Sequence, residues 1–159
     1  MILALFQNIP LLLALFSVFF AQLIKVPINF LISRKIDWSL ITSTGGMPSS
    51  HSAAVTSLAT AVGFETGLDS PTFAVAAMFA IIVMYDASGV RYQAGQHAVI
   101  INKMRSELTL FFEEIKHWPE KTENEKIQEL KTLLGHKPSE VLTGAITGIL
   151  ISVIFYALI

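Results

Sequence analysis

The sequence predicts an all-α integral membrane protein, a helical bundle of about four spans plus a cytoplasmic amphipathic helix and a re-entrant or interfacial segment. Two observations carry that prediction: apolar runs of bilayer-crossing length, and basic residues confined to two segments. A bilayer core of about 30 Å needs roughly 20 mostly apolar helical residues to cross it. Composition agrees, with 53% hydrophobic and 14% charged residues and a mean hydropathy of +0.61, as expected of one small membrane domain over 1–159.

The elements follow in order. Residues 2–24 contain no charge and read as the first span. They lack a basic leading region and an A-x-A-like cleavage site, so a retained span is expected rather than a signal peptide. Residues 26–44 are apolar but broken by Pro27, Asn29 and the Arg34, Lys35, Asp37 cluster. That segment is expected to lie re-entrant or along the interface, with Trp38 as an anchor. Residues 49–66 are small and hydroxyl-rich, which suits a span packed inside a bundle. Residues 72–85 are uncharged but too short to cross, so the third span is expected to continue through Asp86 to about Val90. In 97–118 the apolar positions Val99, Ile100, Met104 and Leu108 recur at helical spacing between charges, predicting an amphipathic helix on the membrane surface or against the bundle. A solvated stretch over 119–129 then leads into a helix ending near Gly135, and residues 141–159 form the last span.

All eleven lysines and arginines fall in 25–35 and 91–137, and the short loop around Glu65 to Pro71 carries none. By the positive-inside rule the segments 25–48 and 91–140 are expected in the cytoplasm and both termini outside. The net charge of −1 says nothing about partners, because only its distribution is informative, and nothing points to nucleic acid. With no cysteine, a disulfide framework, a thiolate metal site and a cysteine nucleophile are excluded.

Residues that could do chemistry gather in three clusters on the expected cytoplasmic face. The first, Thr44 to His51, is a turn that opens a helix, with Ser49 or Ser50 able to cap it. Free N–H groups and hydroxyls at a helix start suit an anion, to which His51 could give a proton; the plainer alternative is a cap with an interfacial histidine. In the second, His136 and Glu140 stand four apart before the last span. On one helix face the carboxylate would orient the imidazole, or the pair would be only a capping arrangement. The third runs from Asp86 to His97, in which Arg91 could bind a phosphate through two hydrogen bonds or pair with Asp86.

Together, GMPSSHSA, DASGVRYQAG and GHKPSEV resemble the motifs of the type-2 phosphatidic acid phosphatase and vanadium haloperoxidase superfamily, above all its divergent, small bacterial membrane branch. The resemblance covers essentially the whole chain. It implies a histidine nucleophile at His136, an orienting carboxylate at Glu140 and a general acid at His51. It further implies phosphate contacts from Lys25, Arg34, Arg91, Ser49, Ser50 and Gly46, with Asp86, His97 and Lys131 as accessory candidates, and neither cofactor nor metal. Substrates would be a phosphorylated lipid or a small phosphate ester, reached among membrane lipids.

The motifs depart from the pattern at named places. With six residues between them, the arginine that follows the lysine of the first motif would fall, counted from Lys25, at Ile32, and Arg34 is followed by Lys35 rather than proline. Ser50 stands for a glycine and Glu140 for an aspartate. The arginine expected six before His136 is Leu130, so Arg91 or Lys131 would supply that charge. Arg91 and His97 have that arginine-to-histidine spacing themselves, but Ile101 follows where a carboxylate is needed. Three functions are compatible with this reading: a phosphatase, a catalytically silent phosphate or lipid head-group binder, and a lipid or small-anion transporter.

Overall fold

The structure is a computed structural model that describes residues 5–115 and 135–159. Lys131 and the solvated stretch expected at 119–129 lie outside the described residues. The described residues include five helices: α1 (Ile9–Ser33), α2 (Ser50–Thr66), α3 (Pro71–Ser88), α4 (Val90–Ile115) and α5 (Pro138–Leu158). A 3₁₀ turn, Trp38–Ile41, bridges α1 and α2. This is a helical membrane protein, with no strand among the described residues.

Helices α1, α2 and α3 each start where a side chain accepts from a free N–H group of the first turn. Asn8 accepts from Leu11 N–H at 3.0 Å, Ser49 from Ser52 N–H at 3.3 Å and Ser70 from Phe73 N–H at 3.1 Å. Pro71 and Pro138 occupy first-turn positions, where the missing N–H costs nothing.

The first helix corrects the sequence reading. Pro27 does not end it, and α1 runs unbroken from Ile9 to Ser33, closing at Arg34 in the left-handed conformation (φ 57°). One proline removes one backbone hydrogen bond, whereas leaving the helix in an apolar medium would strand many. The first eight residues of the segment expected to be re-entrant, 26–33, are therefore the last two turns of α1. Trp38 follows it, 70% exposed, in the short turn.

The third predicted span is likewise modified: α3 stops at Ser88, and the chain restarts as α4 after Gly89. The amphipathic helix thus begins at Val90, earlier than expected. Among the described residues three helical stretches, Ile9–Ser33, Pro71–Thr109 and Pro138–Leu158, are long and apolar enough to cross a membrane. The expected fourth, α2, does not qualify, because its 17 residues are rich in serine, threonine and alanine.

That composition instead makes α2 the central helix. Its most extensive packing is with α5, then with α1 and α3. Helices α2 and α5 run parallel and very close, because a Cβ on Gly144 would collide with the Ser49 carbonyl, and one on Gly148 with the Ala53 carbonyl. Hydroxyls join them along their length: Thr56 Oγ1 donates to the Ala145 carbonyl at 3.0 Å, and Ser152 Oγ to the Ser57 carbonyl at 2.9 Å. At the far end Tyr156 donates to Glu65 at 2.9 Å. Small residues that let backbones approach, with hydroxyls bonding across, are the usual means of joining helices in lipid, where apolar burial supplies little drive.

Candidate functional site

At the other end of the bundle, the first turns of α2 and α5 meet the last turns of α1 and α3. The Ser49 N–H donates to the Glu140 carbonyl at 2.9 Å, joining the two helix starts directly. The segment before α5 is fixed independently, as His136 N–H donates to the Ala87 carbonyl at 2.9 Å. Gly135 makes that docking possible. Its φ of 78° favours glycine, and a Cβ there would collide with the backbone of Arg91 and Tyr92.

These constraints bring four predicted residues, Asp86 among them, around one cavity of about 230 Å³. His51, Arg91 and His136 line it, with Thr44, Asp86 and Gly135. The rings of His51 and His136 are 6.1 Å apart between centroids. His51 is exposed, whereas His136 is only 2% exposed.

Behind His136 the carboxylate of Glu140 faces Nδ1 at 3.0 Å. An ionised carboxylate can only accept, so Nδ1 carries the proton and Nε2 presents a lone pair. Nε2 is buried with no hydrogen-bond partner among the described residues. The same Glu140 oxygen also accepts from Lys137 N–H at 3.3 Å, completing a capping box at the start of α5. The two sequence alternatives for this pair, orienting group and cap, therefore hold together. An imidazole so arranged can act as a nucleophile or a base.

Arg91 is paired as well as placed, since its Nε donates to the Asp86 carboxylate. Both side chains remain substantially exposed, at 58% and 40%. The ion pair and the cavity position coexist, and the remaining guanidinium nitrogens are not engaged by that contact.

Other predicted residues lie elsewhere. Lys25 is 1% exposed, and its ammonium donates to the carbonyls of Ser43 at 3.1 Å and Gly45 at 3.0 Å. It fastens the loop before α2 from behind rather than lining the cavity. Arg34 is exposed at the end of α1, nine residues beyond Lys25 and therefore about 13 Å further along the helix. Ser49 is fully buried: its N–H serves Glu140, and its hydroxyl accepts from Ser52. Gly46 (φ 89°) shapes the turn beside Lys25 and Leu40. Ser50 is buried and lines a second, neighbouring cavity. His97 is exposed on α4, two turns from the cavity. Among the described residues no group of three acidic or histidine side chains is placed to hold a metal ion.

Sequence reasoning missed Gln22, which lines that second cavity and whose Oε1 is buried without a partner. The available signal was a lone amide one turn before Lys25 in an otherwise apolar run.

The fold and site together define a helical membrane protein with a carboxylate-held histidine, a second histidine and an arginine gathered at one end of the bundle. The chain belongs to the Divergent PAP2 family, whose description matches residues 6–151. It is 57% identical over 150 residues to the uncharacterized membrane protein YuiD of Bacillus subtilis (strain 168), covering 94% of this chain and 95% of that protein. No solved structure matches the chain.

Proposed function

We propose that this protein is a membrane phosphatase that hydrolyses a lipid phosphate or other phosphomonoester through a phosphohistidine, on the cytoplasmic face of the membrane. The observation that carries the reading is His136: oriented by Glu140, unpartnered at Nε2, and 6.1 Å from the ring of His51 across a cavity that Arg91 also lines. Reacting atoms need to approach within about 3 Å. With the rings this close and both lining one cavity, a phosphoryl group bound there would be within reach of both.

The steps balance as follows. Nε2 of His136 attacks phosphorus, and the phosphorus–oxygen bond to the alcohol breaks as His51, protonated, gives its proton to the leaving oxygen. His51, now neutral, takes a proton from water as that water attacks the phosphohistidine. The phosphorus–nitrogen bond breaks, inorganic phosphate leaves, and both histidines return to their starting states. Arg91 and Gly135 border the space where the phosphoryl oxygens would lie, and the guanidinium is suited to the charge that develops there.

One observation favours a second reading, a silent phosphate or head-group binder. Lys25 is engaged by carbonyls and Arg91 by Asp86, which leaves the site poorer in free cations than the superfamily pattern implies.

The test is an assay of purified protein in detergent against a panel of lipid phosphates and simple phosphomonoesters, with vanadate as inhibitor. Turnover that vanadate suppresses and His136→Ala abolishes is expected. Vanadate binding without hydrolysis across the panel would select the silent binder, and full activity in His136→Ala would remove the assigned nucleophile.

A further inference from the structure

His51 borders two cavities. One is shared with His136 and Arg91; the other, of about 430 Å³, extends away from it along α1, α2 and α3. Thr44 and Val83 also belong to both, so the two spaces adjoin around His51. The second cavity has an apolar floor of Val18, Val55 and Phe79 and a polar rim that includes Gln22, Ser43 and Ser50. It lies where α1 and α3 each pack on α2 but share no packed face with one another.

We propose that this second cavity holds the alcohol part of the phosphate ester, and that Gln22 selects alcohols carrying a hydrogen-bonding hydroxyl near the phosphate. The assignment rests on the reading of His136 as nucleophile and His51 as proton donor. In phosphoryl transfer the attacking and leaving atoms stand roughly in line on opposite sides of phosphorus. With His136 on one side, the leaving oxygen faces His51, and the carbon attached to it continues past His51 into the second cavity.

What that cavity would accept follows from its lining. The apolar floor suits a hydrocarbon chain. The rim carries an unsatisfied amide, because Gln22 Oε1 is buried and has no hydrogen-bond partner among the described residues. A buried acceptor without a donor is costly, and such a group calls for a missing partner. Rotation of the terminal amide brings either its oxygen or its N–H to the cavity, so a substrate hydroxyl can serve as that partner. An ester of a plain hydrocarbon alcohol would leave the amide unpaired. Discrimination by an unpaired site group is generally sharper than discrimination by apolar fit.

Two probes isolate the effect: the 1-O-hexyl ether of glycerol 3-phosphate and its 2-deoxy counterpart, which differ in one hydroxyl. Their affinities for the detergent-solubilised full chain are measured by calorimetry with His136→Ala in place, so that neither ester is hydrolysed during the titration, and the protein that keeps Gln22, wild type at that position, is compared with Gln22→Leu. The wild type is expected to bind the hydroxylated ester about three- to tenfold more tightly. In Gln22→Leu the ratio should fall to near unity. A ratio of two ligands on one sample is insensitive to partial unfolding, and Gln22→Met replaces the leucine variant should that fail to fold. Equal binding of the two esters by the wild type, or a preference that survives both substitutions, overturns the proposal. Because the measurement is of binding, absence of turnover would count against the nucleophile assignment separately and would leave the affinity ratio to decide the role of Gln22.

Discussion

Arg91 has two partners to choose between, the Asp86 carboxylate and any anion in the cavity. Charge-assisted hydrogen bonds from a guanidinium are strong, so Arg91→Ala is expected to weaken vanadate binding about ten- to hundredfold, read by inhibition or calorimetry. Asp86→Asn should tighten it, because the competing carboxylate charge is gone. If neither change moves vanadate affinity, Arg91 serves the ion pair alone. At this scale the sequence was legible in part. His51, His136 and Glu140 come together as their motif spacing implies. Lys25 and Ser49 do not reach the cavity, for a reason that no spacing reveals: a buried ammonium and a helix-starting N–H each find nearby backbone carbonyls, and those bonds claim them first.

Helix packing supplies the next level of precision. The approach of α5 to α2 depends on Gly148, where any Cβ meets the Ala53 carbonyl and the Thr56 hydroxyl. Gly148→Val should therefore destabilise the protein by about 1–3 kcal/mol through overpacking, measured as a lowered thermal midpoint in detergent. An unchanged midpoint would mean that the helices separate without penalty. The apolar runs located α1, α3 and α5 well, and the hydroxyl-rich character of 49–66 correctly suggested an interior helix. The extent of α1 was not legible, because Pro27 and Asn29 read as breaks in water but are carried through where the backbone has no other means of satisfying itself. The restart at Gly89 was equally hidden, since nothing in periodicity distinguishes a helix that runs on from one that turns and resumes.

Over the whole molecule, the C-terminal ends of α1 and α3 and the N-terminal ends of α2 and α5 share the end that holds the cavity. On the one-sided lysine and arginine count, that end is expected to face the cytoplasm. A reporter fused at Thr122 should accordingly read as cytoplasmic and one fused after Ile159 as external; the same side for both would mean that α5 does not cross. The Glu140 carboxylate gives this arrangement a temporal consequence. One oxygen both starts α5 and holds the His136 ring, so the start of the helix and the setting of the imidazole are a single event. Helix α5 is also the last of the described helices in chain order. During synthesis, α1 to α4, with His51 and Arg91, are made while the carboxylate–imidazole pair does not yet exist. The pair is completed only when α5 has been made, and a nascent chain halted before it would lack the oriented imidazole however well the earlier helices had inserted.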